Sequence, residues 1–361
     1  MAFNFARKSD DADATLLIPT ESLRQFCCTI RAFGVTRVSS DIYRKVWLCV
    51  RDGYGVFGLC DGRNYAEAVT VGDGAGDINL GVDSRKFMDM VTHAPVGMML
   101  VERTGSRLRF KVNLCDCGTL DGISGADRPK PPPMDGKDTM SVTARYRDIA
   151  FTAQHLCGVC TVDSPYPALC GVLAESDGDI VTFTASDSRM LVCTGMVPPK
   201  MRCVLPAKAF AVLSQTGANA TLTVSNAGFT FSTPRLRVYG EYVRGQYPDV
   251  HRIYPKEFSH EYRVDVGRIR KAVERLSLRV SPTPYGSLPV MLVYGGVLDV
   301  SAVPHDYEFD HGGIKMDANR LLELMKRFGD GDSVTFQSTG VLKCPTVWTD
   351  AHGISMLTPL R

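Results

Sequence analysis

The chain has 361 residues, 44% of them hydrophobic and 22% charged, enough to build a full core in each of two or three domains. Its formal charge of +2 excludes a protein that is basic throughout, while leaving room for basic charge gathered on one surface. The start MAFNFARKSDDADATLL has no apolar signal core and no run is long enough to span a bilayer, so the twelve cysteines are expected as free thiols in a reducing, cytoplasmic setting.

Residues 8–14 read as a loose arm. Leu23, Phe26, Cys27 and Ile30 then have the i, i+3, i+4, i+7 spacing of one apolar helix face. Strands are predicted at 46–50 and 55–60, and GDGAGD (72–77) reads as a surface turn. VDSRKFMDM (82–90) predicts a second helix, followed by a strand at 107–112. ADRPKPPPMDGKD (126–138) cannot be helical and reads as an extended linker.

The pattern then restarts. Tyr146, Ile149, Ala150 and Ala153 repeat the first helix, and LPAKAFAVL (205–213) repeats the second. Between and after them lie strands at 180–184, 190–194, 221–224, 228–232 and 236–243. Ile269, Ala272, Val273 and Leu276 open a third round, with MDANRLLEL (316–324) as its second helix and strands at 291–294, 297–302, 333–337 and 355–358. Leu23, Tyr146 and Ile269 stand 123 residues apart, each followed by an arginine: Arg24, Arg147 and Arg270. One amphipathic helix is ordinary core packing. Two recurring in register predict a triplicated α+β chain, each module helix, strands, helix, strands, with bounds 1–137, 138–255 and 256–361. Short connections favour antiparallel hairpins.

No catalytic constellation emerges. CGVC (157–160) has a zinc or redox form, yet no second CxxC exists and no thioredoxin-like context surrounds it. Asp187, between Ser186 and Ser188, has neither base nor metal beside it in sequence. Basic residues, in contrast, gather on the repeated helices. Arg24, Arg85, Lys86, Arg147, Lys208, Arg268, Arg270, Lys271 and Arg275, with Arg37 just past the first helix, suit a surface that follows phosphates without reading bases.

VDSRKFMDMVTHAPVG (82–97), GVLAESDGDIVTFTASDSRMLVC (171–193), CVLPAKAFAVL (203–213), GQYPDVHRIYP (245–255) and the ending SMLTPLR together resemble the bacterial β sliding clamp, the processivity factor of the replicative DNA polymerase. The likeness runs from about Leu16 to the end and is strongest in the second module. It implies three sliding-clamp modules per chain and a head-to-tail homodimeric ring around duplex DNA. The ten basic residues would then line the bore, and no cofactor or metal is expected.

Contacts between the two chains would fall near 114–120, including Cys115 and Cys117, and at Leu278 and Arg279. The resemblance also implies a pocket where polymerase, clamp loader and other clients dock short apolar motifs. It maps onto Leu169, Ala185, Ser186, Asp187, Ser188, Arg189, Met190, Pro248, Arg252, Ile253, Met356, Leu357, Thr358, Pro359, Leu360 and Arg361. The family's Thr-Asp-Gly-His-Arg-Leu turn stands here as Ala-Ser-Asp-Ser-Arg-Met (185–190), and the arm and Pro-rich linker are longer than the family pattern. Such divergence suits a phage- or plasmid-encoded member. Two other readings stay open at this point: a ring that scaffolds proteins without DNA, and a thiol or zinc enzyme using Cys157 and Cys160.

Overall fold

The computed structural model describes residues 12–34, 40–70, 72–113, 115–131, 140–144, 156, 158–160, 164–176, 181–187, 190–196, 201–213, 220–284, 286–303, 312–329, 331–341, 344–351 and 353–359. Five helices lie among them: α1 (Thr20–Phe33), α2 (Ser84–His93), α3 (Ala207–Leu213), α4 (Val266–Ser277) and α5 (Ala318–Met325). The helix expected at 146–153 falls outside the described residues.

The helices begin where sequence chemistry tells them to. Asp83, Asp265 and Asp317 precede α2, α4 and α5, and their carboxylates accept the backbone N–H of Lys86 at 3.0 Å, Arg268 at 2.8 Å and Asn319 at 3.1 Å. Each satisfies a donor that the first helical turn leaves open. Pro206 stands in that place before α3 and Pro19 before α1, both residues that cannot extend a helix backwards.

The expected stripes face inward. Leu23, Phe26, Cys27 and Ile30 on α1 are all buried, as are Ile269 and Val273 on α4, while Ala272 and Leu276 are half-buried.

The chain forms two compact units, one of residues 1–154 and 205–242, the other of 155–204 and 243–361. These boundaries cut through the second module instead of falling between modules, because sheet hydrogen bonds run across the module limits.

The first unit holds α1, α2 and α3 together with a 13-stranded antiparallel sheet. Its bend comes at the long strand Cys115–Ser124, which pairs with Arg107–Val112 over most of its length and with Asn79–Asp83 only at 122–124. Rings of Phe26, Phe57, Phe87 and Phe110 stack through the core at centroid spacings of 4.8, 5.9 and 6.0 Å. The glycine-rich segment 72–77 is more than a turn: Asp73–Ala75 pairs with the strand Ala14–Pro19.

The second unit holds an eight-stranded and a three-stranded sheet with α4 and α5. Phe336 and Trp348 pack edge to face at 4.7 Å in its core.

Each unit contains one seam where the last strand of a module joins the sheet of the module before it. In the first unit Leu236–Gly240 pairs antiparallel with Asn64–Thr70, Leu236 opposite Ala68 and Gly240 opposite Asn64. In the second, Gly353–Leu357 pairs with Met190–Met196, Leu357 opposite Met190 and Ile354 opposite Cys193.

Candidate functional site: two seams, a bore face and a free edge

The repeated arginines have a definite job in the fold. Arg24 donates to the carbonyl of Ala94, just past the end of α2, at 2.7 Å. Arg270 donates to the carbonyls of Met325 and Phe328, at the end of α5, at 2.5 and 2.8 Å. In both modules a guanidinium from the first helix ties off the open carbonyls and negative dipole end of the second. The expected picture of Arg24 and Arg270 as charges that follow phosphates does not include these bonds. Arg147 and Arg37 lie outside the described residues.

Lys208 also differs from that picture. It forms an ion pair with Asp61, whose side chain is 5% exposed. Burial pulls the Lys208 ammonium below the ordinary lysine value. Arg320, on α5, pairs in the same way with Asp187, whose side chain is 8% exposed. Local sequence cannot reveal this partner of Asp187, because Arg320 is 133 residues away. Arg268 donates to the Leu298 carbonyl, with Asp299 at 4.0 Å. Arg275 is exposed, its Nε donating to the Lys271 carbonyl at 3.2 Å. Arg85, Lys86 and Lys271 are exposed and form no ion pair among the described residues.

The seam of the second unit is apolar. Leu169, Leu173, Ala168, Val204, Tyr247, Val347 and Met356 form one buried cluster, with Val243, Phe258 and Ile354 packed against it. The Tyr247 hydroxyl donates to the Thr184 carbonyl at 3.2 Å, so this ring is pinned. Of the expected pocket residues, Leu169, Ala185, Ser186, Met356, Leu357 and Pro359 are buried, while Pro248, Arg252, Ile253 and Thr358 are exposed. Arg252 pairs with Asp249 at 3.1 Å. Met190 enters through its strand pairing with Leu357, and Ser188, Arg189, Leu360 and Arg361 lie outside the described residues. Tyr166, 67% exposed, accepts the Leu169 N–H at its carbonyl at 3.0 Å, and nothing in its local sequence marks it.

The seam of the first unit is polar instead. Arg128 Nε donates to the Tyr65 hydroxyl at 3.0 Å, Nη1 to Cys49 Sγ at 3.0 Å and Nη2 to Glu67 at 3.0 Å. Glu67 also holds Arg51 at 3.1 Å. A Cβ at Gly58 would come within 2.8 Å of both Arg128 Nη2 and the Tyr65 oxygen, so a larger residue there would displace this network.

The strand Cys115–Ser124 has no partner on its outer edge over 115–121 among the described residues. Beside it a cleft of about 430 Å³ is lined by Met90, His93, Ala94, Pro95, Cys115 and Cys117 among others. Leu278 and Val96 are apolar yet 87% and 75% exposed, and Arg279 is exposed.

Thiol chemistry at 157–160 finds no support in the environment. Burial pushes Cys160 up to about 12, which leaves it a protonated, inert thiol, and Cys157 lies outside the described residues. Among the described residues no His, Cys, Asp and Glu cluster of three or more is placed to hold a metal, and no helix is long and apolar enough to cross a membrane.

No family model matches the sequence, and a search of curated proteins returns no match either. Solved structures do match, over nearly the whole chain. The DNA polymerase III beta subunit of Thermotoga maritima superposes with a TM-score of 0.80 at 15% identity, covering 96% of this chain and 99% of that one. The DNA polymerase sliding clamp of Bacillus subtilis gives 0.77 at 15% identity, covering 97% and 100%. This chain has the sliding-clamp fold. The Helicobacter pylori beta clamp, solved with a DNA ligase peptide, gives 0.76 at 15% identity, covering 96% and 100%.

Proposed function

We propose that the protein is a DNA sliding clamp, a ring around duplex DNA that tethers the replicative polymerase and other clients without catalysing a reaction. The observation that carries this reading is the sliding-clamp fold, matched over 96–97% of the chain. The repeat supplies a physical reason for closure. Two seams join modules one to two and two to three, and the outer edge at 115–121 is what a third seam would use. A strand edge of that kind calls for a partner, and a second copy meeting it head to tail closes the ring. The exposed Leu278 and Val96 suit burial at that contact.

Within the ring, Lys271 and Arg275 on α4 face duplex DNA and meet its phosphates without reading sequence. A ring retains DNA by topology, so a weak and diffuse grip is what sliding needs. Clients dock short apolar segments at the apolar seam of the second unit, beside Leu169, Ile253 and the residues from Met356 onward. The protein works in the cytoplasm, on the nucleoid.

The test is topological. The protein is loaded on nicked circular DNA with a clamp loader, freed of unbound protein, and the DNA is then cut once. Retention on the circle and release on linearisation are expected. Equal retention before and after cutting, or none on the circle, would overturn the reading.

A further inference from the structure

At one end of the first seam, two tight turns from different modules meet. The Asp52-Gly53 turn joins the strands Lys45–Arg51 and Tyr54–Cys60 of module one, and the turn at 233–235 leads into Leu236–Gly240 of module two. Thr233 fixes the second turn. Its hydroxyl accepts the Leu236 N–H at 2.9 Å, and its own N–H donates to the Leu236 carbonyl at 2.7 Å. The Arg235 carbonyl accepts the Val69 N–H at 2.8 Å, which ties this turn to module one. Between the turns lies a cleft of about 220 Å³, lined by Arg51, Tyr54, Val69, Pro234, Arg235 and Arg237 among others. Leu236 and Val238 are buried, and Arg235 and Arg237 alternate with them, so the two arginines share the exposed face.

The charge in this cleft is unevenly shared. Arg237 stands directly opposite Glu67 in the strand register, yet Glu67 is already taken. It accepts from Arg51 at 3.1 Å, from Arg128 at 3.0 Å and from the Tyr65 hydroxyl at 3.2 Å. The polar network of the seam thus uses up its own acid. Arg235 and Arg237 are exposed and form no ion pair among the described residues, and Asp52 is the only other acid in the lining. Cations gathered in this way raise the local concentration of an anionic partner.

We propose that this cleft is a second docking site, for a short acidic segment of another protein with carboxylates on alternate residues. Side chains two residues apart in an extended chain stand about 7 Å apart on one face. Arg235 and Arg237 have that spacing, so an extended peptide meets them residue for residue, each guanidinium fork holding one carboxylate. Tyr54, 50% exposed, and Pro234 offer apolar surface to a neighbouring aromatic or aliphatic residue. A nucleic-acid backbone fits less well: its phosphates would lie beside Glu67 and Asp52, with no line of cations to follow. Both turns are braced in advance, which lowers the ordering cost of binding. The site lies wholly in the first unit, apart from the apolar seam of the second, and it does not depend on ring closure.

The probe is a labelled peptide, Ser-Glu-Phe-Glu-Leu-Glu-Ser, titrated against the full chain by fluorescence anisotropy at two salt levels. Its counterpart with glutamine for each glutamate is titrated beside it. The proteins are wild type, Arg235→Glu/Arg237→Glu, the neutral Arg235→Gln/Arg237→Gln, and a chain lacking residues 358–361. Arg263→Glu/Lys326→Glu, exposed sites of the second unit, is a control of equal charge change. Circular dichroism melting verifies each fold. Charge reversal should weaken binding of the acidic peptide about 30-fold or more, with the glutamine variant between. The truncated chain and the control should match wild type, the glutamine peptide should bind far more weakly, and added salt should weaken the acidic one. No binding by wild type at low salt, equal binding by both arginine variants, or loss in the truncated chain overturns the proposal. So does a single-stranded oligonucleotide that binds through Arg235 and Arg237 where the peptide does not. Failure of topological retention on DNA would instead overturn the clamp reading and leave this site standing.

Discussion

At the seam of the first unit, Arg128 reaches Tyr65, Cys49 and Glu67, and polar groups fill the space beside the paired strands. At the seam of the second unit, the corresponding space is occupied by Leu169, Leu173, Tyr247 and Met356 with hardly a polar atom among them. Backbone and ion pair are common to both: antiparallel strands, and a nearly buried aspartate held by a cation on the next module's helix. One scaffold carries a polar network beside one seam and a buried apolar cluster beside the other. A saturated polar network has no unmet valence to offer a partner. An apolar floor rimmed by exposed Tyr166, Ile253 and Tyr254 does.

The sharpest ways to break this comparison remove one side chain from each seam. Leu169→Ala leaves a cavity in the apolar cluster and should cost about 2–5 kcal/mol, read by urea unfolding. Arg128→Ala takes the guanidinium away from Cys49, buried Tyr65 and half-buried Glu67, leaving Glu67 with Arg51 and the Tyr65 hydroxyl, and should cost about 1.5–3 kcal/mol. Gly58→Ala pushes a methyl into the same network and should cost about 1–3 kcal/mol. If Arg128→Ala were silent, the polar network would not stabilise the first seam.

A smaller effect separates fold from function in the repeated arginines. Arg24→Met and Arg270→Met each lose a charge-assisted bond to helix-end carbonyls, at about 1.5–3 kcal/mol. They should lower the melting temperature before they alter DNA affinity. Lys271→Glu/Arg275→Glu should do the reverse, weakening DNA binding and flattening its salt dependence with the fold intact. The smallest energetic effect is chemical. Burial pushes Cys27, Cys160 and Cys203 up to about 12, so at pH 8 they stay protonated. An alkylating reagent should modify exposed Cys28 first and leave these three untouched until the protein unfolds.

Much of the fold was legible in the sequence because helix periodicity is local. The stripe Leu23–Phe26–Cys27–Ile30 declares its buried face without reference to any other segment. Strands declared themselves less evenly. Cys115–Ser124 is rich in glycine and aspartate and lacks alternation, so its composition does not mark it as a strand, and only the resemblance points to a contact near 114–120. Of Met201–Pro206, only the last two residues fall inside the helical pattern LPAKAFAVL (205–213), and the rest carries no strand signal of its own.

The electrostatic roles were hidden for a different reason. That Arg24, Arg147 and Arg270 recur in register is plain in the sequence; that a guanidinium turns to a carbonyl 70 residues away is not. Arg128 sits at the edge of a proline-rich tract with partners 61 to 79 residues distant, and Asp61 finds Lys208 at a separation of 147. Such pairings are products of the seams, and no spacing rule anticipates them.

The division of labour between the seams is best tested by peptide binding. A short synthetic peptide carrying two leucines and a phenylalanine is titrated by calorimetry against wild type, against a chain lacking residues 358–361, and against Arg128→Ala. Each leucine-sized anchor contributes roughly 1.5–3 kcal/mol on burial, enough for micromolar affinity after ordering costs. The account predicts one site per chain, lost in the truncated protein and unchanged in Arg128→Ala. Full-strength binding by the truncated chain, or loss of binding in a folded Arg128→Ala protein, would contradict it.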